Sequence, residues 1–370
     1  MELLRAVVLL SLALLANGRD TDLSRDSFPK GFVFGTASSA YQVEGNSLKY
    51  GRGPCIWDTF LKFPGATPDN ATANVTVDEY HRYMDDVDSM VRVGFDAYRF
   101  SISWSRIFPN GIGRFNKDGV DYYHRLIDYM LANNITPYVV LYHYDLPEVL
   151  NNQYNGWLSP KVVYMHPITF GHYPETMRKL VGSRLPNFTA EQSKLVQGSA
   201  DIIGVNHYTT YYVRHHENLT HMSYATDWQA ELLFERNGVP IGRQAFSKWL
   251  YVVPWGFYKA VMHVKNKFRD PLILIGENGI DQSGSDTLPH ALYDTFRIDY
   301  FDQYLHELKR AIADGARVTG YFAWSLLDNF EWRMGFTSKF GLVYVDRKTF
   351  TRYPKDSTRW FRKVIKSEEY

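Results

Sequence analysis

The chain has 370 residues, 41 of them basic and 40 acidic, with 45% hydrophobic content, enough to bury the core of one large or two ordinary domains. A net charge of +1 without a basic tract argues against nucleic acid or a membrane surface as the main partner. Aromatic residues make up 16%, with nine tryptophans and 27 tyrosines, more than a core usually needs; such side chains often wall sites for flat or amphipathic ligands.

The N-terminal MELLRAVVLLSLALLANGRD carries one arginine, an apolar run from Ala6 to Ala16, and small residues at Ala16 and Gly18. The pattern predicts a secretory signal peptide over residues 1–18, because the run is too short to span a bilayer. Behind it, sequons at Asn70, Asn74, Asn134, Asn187 and Asn218 predict a glycosylated protein of the secretory pathway, with extracellular space (apoplast) and vacuole both open as destinations. No later stretch reads as membrane-spanning. Cys55 is the only cysteine, so no intrachain disulfide can form and stability has to come from a core. Residues 19–370 contain no repeat, low-complexity tract or linker and read as a single domain.

In chain order, strand-like runs lie at 32–39, 96–104, 136–144, 201–209, 271–278 and 318–327. Helical stripes lie between them. Met84, Val87, Met90 and Val91 form one that stops at Gly94. Val120, Tyr123, Leu126, Ile127, Met130 and Leu131 form a second. Ile298, Phe301, Leu305, Leu308 and Ile312 form a third, which stops at Gly315. Near-continuous apolar strands alternating with helices predict a parallel sheet covered on both faces.

Polar and aromatic residues collect where the strands end: Gln42 and Glu44, Arg99, His143 and Asp145, Asn206 and Tyr208, Glu277, then Trp324, Asp328, Glu331 and Trp332. In a β/α barrel the strand C-termini converge on one face, which holds the active site. Any one of these residues reads as a cap or a core aromatic; six strand ends with the same habit favour a site. In LILIGENGI (272–280), the apolar run reads as a buried strand closed by the Asn278-Gly279 turn, with Glu277 on its last residue. No glycine-rich nucleotide loop, HExxH, Cys/His cluster or nucleophile elbow occurs, so neither a cofactor nor a metal is expected.

The segments FVFGTASSAYQVEG, GFDAYRFSISWSRIFPNG, LYHYDLP, GVNHYT, IGENGI and GYFAWSLLDNFEW resemble, in order and spacing, the glycoside hydrolase family 1 β-glucosidases, the plant secreted members most closely. The resemblance covers residues 28 to 365. It implies an α/β fold, the (β/α)₈ TIM barrel, and hydrolysis of small-molecule β-glucosides with retention. By position it implies that Glu277 is the nucleophile attacking the anomeric carbon. Arg99 would favour the ionised form and Tyr208 would donate a hydrogen bond to it. Gln42, His143 and Glu331 match residues that hydrogen-bond glucose hydroxyls, Glu331 as an ionised acceptor, and Asn206 stands with them. Trp324 and Trp332 match aromatics that pack on the sugar ring, and Phe340 lies in a loop near it. Gly276 stands where many members have Thr or Ser, Tyr144 replaces a frequent Trp, and SKFG (338–341) lacks an Arg before the Phe; these departures bear on substrate preference.

A larger departure concerns the second carboxylate. Retaining hydrolysis needs a general acid/base about 5–5.5 Å from the nucleophile. The family carries it in an Asn-Glu-Pro motif at the fourth strand, and this sequence has no such motif. GWLSPKVV (156–163) resembles the segment after the third strand, whereas YMHPITFGHYPETM (164–177) resembles one well beyond the fifth. An excision at Val163-Tyr164, of the kind exon skipping or a gene-model error leaves, would remove two of the eight strands and the acid/base. Glu44, Asp145, Glu148 and Asp328 lie on strand-end loops without matching a proton donor, and Glu44 is expected to anchor its own loop. Three readings stand: a severely impaired β-glucosidase, a non-catalytic sugar-binding pseudoenzyme, or a chain that does not fold.

Overall fold

The computed structural model describes residues 21–154, 165–216 and 227–366. The predicted leader, the Val163-Tyr164 junction and the Asn218 sequon lie outside the described residues. Six strands form one parallel sheet: β1 (Val33–Ala37), β2 (Ala97–Ser101), β3 (Thr136–Val140), β4 (Ile202–Asn206), β5 (Leu272–Asn278) and β6 (Val318–Trp324). Each falls inside a predicted run. Their spatial order is β3-β2-β1-β6-β5-β4.

Parallel neighbours cannot be joined by a tight turn and need crossovers, usually helices. The chain supplies α1 (Glu79–Val93), α2 (Lys117–Ala132), α3 (Pro254–Lys267), α4 (Thr295–Ala313) and α5 (Asp356–Lys366). They pack side by side as α2-α1-α5-α4-α3, the order of the strands they follow. α1 stops at Gly94, whose φ of 95° only glycine adopts freely, and whose N–H reaches the Met90 carbonyl at 2.9 Å. The stripes of α1 and α2 differ in part from expectation: Met84, Val91 and Leu131 are exposed, while Tyr80, Tyr83 and Tyr122 are buried. Tyrosine carries the inner face because its hydroxyl finds a buried acceptor, as Tyr122 does on Glu79 at 3.4 Å.

The sheet curls. Tyr138 on β3 meets Phe322 on β6 with ring centroids 4.9 Å apart, although β2 and β1 lie between these strands. In a flat sheet three inter-strand spacings would separate them by about 14 Å. Phe322 fills the interior over Gly35 of β1, where an added Cβ would lie 2.3 Å from the ring. The interior is therefore a packed core, as in a β/α barrel. This is an incomplete (β/α)₈ barrel in which the described sheet has six strands.

Coverage on both faces holds for the centre and fails at the rims. β1 and β6 are almost wholly buried, whereas Val139 on β3 is 42% exposed and Ile202 on β4 is 44% exposed. Among the described residues β3 and β4 are the two sheet edges, and edge strands present unpaired N–H and C=O groups to water. No described helix is long and apolar enough to cross a membrane.

This gradient predicts a matching gradient of local stability. Amide hydrogen exchange is expected to be slowest in β1 and β6 and fastest in β3 and β4. Phe322→Ala should cost about 3–5 kcal/mol in urea unfolding. Val139→Ala on the exposed edge should change it by no more than about 0.5 kcal/mol.

Candidate active site

Because every strand runs the same way, six C-terminal ends meet at one face of the curled sheet. On β5 the pairing slips between Ile275 and Glu277 against β4, and between Ile275 and Asn278 against β6. The strand runs one residue beyond Glu277, to Asn278. The Asn278 amide donates to the His207 carbonyl at 2.7 Å and accepts from the Tyr321 hydroxyl at 2.6 Å, pinning the strand end. Side chains alternate along a strand, so Glu277 points the other way, into the barrel mouth.

Glu277 is buried and held on both oxygens. Arg99 Nη1 on β2 donates to Oε1 at 2.7 Å, and the Tyr208 hydroxyl donates to Oε2 at 2.7 Å. Burial and the adjoining Glu277 charge push the Tyr208 hydroxyl well above its ordinary range, so it remains a donor. The Tyr300 and Tyr304 hydroxyls, both on α4, fix the Tyr208 carbonyl at 2.8 and 3.2 Å. Gly276 has a packing reason: a Cβ there would lie 2.7 Å from Asn206 Oδ1 and 3.3 Å from Arg99 Nε.

A cleft of about 210 Å³ opens over Glu277. Of the expected residues, His143, Asn206, Tyr208, Trp324, Glu331, Trp332 and Phe340 line it together with Glu277. His143 lies nearly parallel to Trp324 and Trp332, with centroids 5.9 and 6.0 Å away. Its Nδ1 is 3.9 Å from Glu277 Oε1, yet burial lowers the imidazole to about 4, so this approach is not an ion pair at neutral pH.

Gln42 does not line the cleft. Wholly buried behind Glu331, it donates through Nε2 to Glu331 Oε2 and Asn329 Oδ1, both at 3.1 Å, and accepts from Ser39 Oγ at 2.8 Å. Arg99 likewise stands behind Glu277 and outside the lining. Glu331 is expected as an ionised acceptor; in the fold, burial, then the charges of Asp281 and Glu277, push its carboxyl up to about 8.

The other strand-end carboxylates serve the scaffold. Glu44 accepts from Arg106 Nε at 2.8 Å and anchors its loop as expected. Asp328 accepts from Lys355 Nζ at 2.8 Å and the Gly341 N–H at 2.9 Å. Asp145 is fully buried, and burial raises it to about 6. Neither they nor Glu148 line the cleft.

Two lining residues carry no signal of their own in the sequence. Trp249 comes from the β4–α3 connection and meets Tyr208 edge-on at 6.0 Å; no motif surrounds it. Tyr144 stands out only as a replacement for Trp. It also joins a second, mostly apolar cleft of about 450 Å³, walled by Ile56, Trp57, Phe60, Tyr142 and Arg333. No group of three or more metal-ligating side chains occurs among the described residues.

Comparison with known proteins agrees with this geometry. The profile of glycosyl hydrolase family 1 matches residues 24–164 and 161–370, two pieces that overlap over residues 161–164. Beta-glucosidase 38 of Oryza sativa subsp. japonica is 59% identical, with 99% of each chain covered. That alignment runs over 486 positions against a chain of 370 residues, so more than a hundred of its positions face a gap here. The crystal structure of a rice β-glucosidase superposes with a TM-score of 0.88 at 36% identity, covering 93% of this chain and 99% of that one. A mutant of the same rice enzyme in a covalent complex with Glc matches equally well, with a TM-score of 0.88, 36% identity and the same coverage.

The raised Glu331 gives a pH test. The folded chain holds a proton there that the unfolded chain releases from its ordinary value of 4.5, so this residue contributes a loss of stability as pH rises from 4.5 through about 8. Glu331→Gln should therefore raise Tm relative to the parent at pH 8–9 and change it little at pH 4, as scanning calorimetry would show.

Proposed function

Since the chain belongs to glycosyl hydrolase family 1, we propose that Glu277 is the nucleophile of a retaining β-glucosidase whose proton-transfer half is missing from this polypeptide. The observation that carries the reading is the clamp on Glu277, where one guanidinium and one phenol orient both carboxylate oxygens under the cleft. Charge-assisted hydrogen bonds of this kind stabilise the anion and fix its aim. Trp324, His143 and Trp332 form a flat wall suited to a sugar ring. Glu331, Asn206 and His143 supply polar groups for its hydroxyls, with Gln42 holding Glu331 in place. A β-glucoside seated there would present its anomeric carbon to Glu277.

The missing half is supported by several independent features. The sequence has no Asn-Glu-Pro, the family match breaks in two at 161–164, and the alignment with the rice relative needs a gap of more than a hundred positions. Residues 155–164 contain no carboxyl side chain, and β3 and β4 stand as bare edges. The sequons at Asn70, Asn74, Asn134 and Asn187 are exposed, which suits a glycosylated secretory protein, with the leader cleaved near Gly18. The wall and the Gln42–Glu331 pair also favour a second reading, a sugar-binding pseudoenzyme, since neither needs a proton donor.

Two substrates separate these readings. A 2,4-dinitrophenyl 2-deoxy-2-fluoro-β-glucoside needs no acid and should leave a covalent fluoroglucosyl adduct on Glu277, seen by intact mass and peptide mapping. Glucose-analogue binding without an adduct would establish the pseudoenzyme instead. Turnover of 4-nitrophenyl β-glucoside should fall below that of a complete relative by a factor of about 10²–10⁴ or more. Turnover equal to the relative's would mean that a proton donor is present.

A further inference from the structure

Asp281 follows the Asn278-Gly279 turn, is 1% exposed, does not line the cleft, and has no part in the chemistry derived above. Two separate segments hold it. The Ser247 N–H donates to Oδ2 at 3.0 Å and to Oδ1 at 3.2 Å, and the Ser247 hydroxyl donates to Oδ2 at 2.5 Å. The Ser338 hydroxyl donates to the same Oδ2 at 2.8 Å. Unlike Glu44 and Asp328, Asp281 takes no cation among the described residues. A buried carboxyl group without a cation depends on its hydrogen-bond donors, and here the donors are two loop serines.

Each serine shortly precedes an aromatic residue that lines the cleft, Trp249 after Ser247 and Phe340 after Ser338. Both rings meet Tyr208 edge-on, at 6.0 and 5.9 Å, and Tyr208 donates to Glu277. The two segments are unequally secured apart from Asp281. Ser338–Lys339 pairs antiparallel with Gln282–Ser283, and the Lys339 carbonyl accepts from Arg297 Nη2 at 3.0 Å. The Ser247 turn is closed by the Ala245 N–H on the Leu250 carbonyl at 2.8 Å, and its Phe246 and Trp249 are 44% and 42% exposed. Beyond the turn's own bonds, its polar anchors are Asp281 from inside and the Tyr211 hydroxyl, at the surface, on the Trp249 carbonyl.

We propose that Asp281 is a positioning residue for the glucoside: by tying Ser247 to the fixed Ser338 segment it sets the Trp249 ring beside Tyr208, and with it the grip of the cleft on its ligand. The inference rests on the reading of the cleft as a glucoside site. The aim of Glu277 is set separately. Arg99 reaches it from β2, and the Tyr208 carbonyl is fixed by Tyr300 and Tyr304 on α4. Losing Asp281 therefore weakens binding more than it slows attack by Glu277.

The test uses the full chain and two probes. Phenyl 1-thio-β-glucoside, titrated by calorimetry, reports binding; 2,4-dinitrophenyl 2-deoxy-2-fluoro-β-glucoside, through its saturating rate of labelling, reports attack by Glu277. Asp281→Ala should raise the Kd for the thioglucoside about 10-fold and lower the saturating labelling rate by less than about 3-fold. Asp281→Asn keeps an acceptor oxygen for the serine donors and should return the Kd to within about 3-fold of the parent's. Adding Asp281→Ala to Trp249→Ala should weaken binding by no more than about 2-fold beyond Trp249→Ala alone, because both act through one ring. Ser247→Ala leaves the carboxyl group in place and should shift the Kd in the same direction, which keeps the test decisive if Asp281→Ala does not fold. An unchanged Kd, equal losses in Kd and labelling rate, or full additivity with Trp249→Ala overturns the positioning role and leaves Asp281 as part of the frame. A parent that binds the thioglucoside and shows the Asp281 effect without being labelled removes Glu277 as nucleophile and leaves the positioning role standing. A parent that binds neither probe removes both.

Discussion

The contact on which the site depends is the 2.7 Å ion pair between Arg99 on β2 and Glu277 on β5. Two strands, β1 and β6, lie between them in the sheet, so a flat arrangement would hold their backbones about 14 Å apart. Only a curled sheet brings the guanidinium to the carboxylate. The same curl brings His143, from beyond β3, to 3.9 Å of Glu277 Oε1 and packs Tyr138 on Phe322. Curvature, the lack of room for a Cβ at Gly276 beside Glu277, and the convergence of strand ends are thus one constraint seen three times.

That constraint survives without closure. Four central strands and their helices hold the packed interior, while β3 and β4 carry half-exposed side chains. Buried ion pairs reinforce the rest of the frame: Arg106 with Glu44, Arg352 with Asp86, and Lys355 with Asp328. Of the carboxylates near the cleft, Glu44 and Asp328 are thereby committed to cations inside the scaffold.

Much of this was legible in the residues. All six strands fall in the apolar runs read from the sequence, because a doubly covered strand must be apolar along nearly its whole length. Glu277 at the end of LILIGEN, with Arg99 and Tyr208 as its partners, follows from strand-end placement and family resemblance together. Less legible were the inner faces of α1 and α2, where buried tyrosines replace the aliphatic stripe, and Trp249, which reaches the cleft through a connection with no motif. Gln42 was read as a cleft residue and lies one layer behind it.

The sequence by itself determined the strand and helix pattern, the parallel sheet, the family and the identity of the central carboxylate, since these depend on local periodicity and on motifs contiguous in the chain. Tertiary structure alone decided protonation and reach. Glu331 is raised because folding removes water from it and sets it near Asp281 and Glu277, residues distant in sequence. His143 is neutral for the same reason of desolvation. Whether a side chain lines the cleft or supports one that does depends on how far the sheet curls, a long-range property that no single segment encodes.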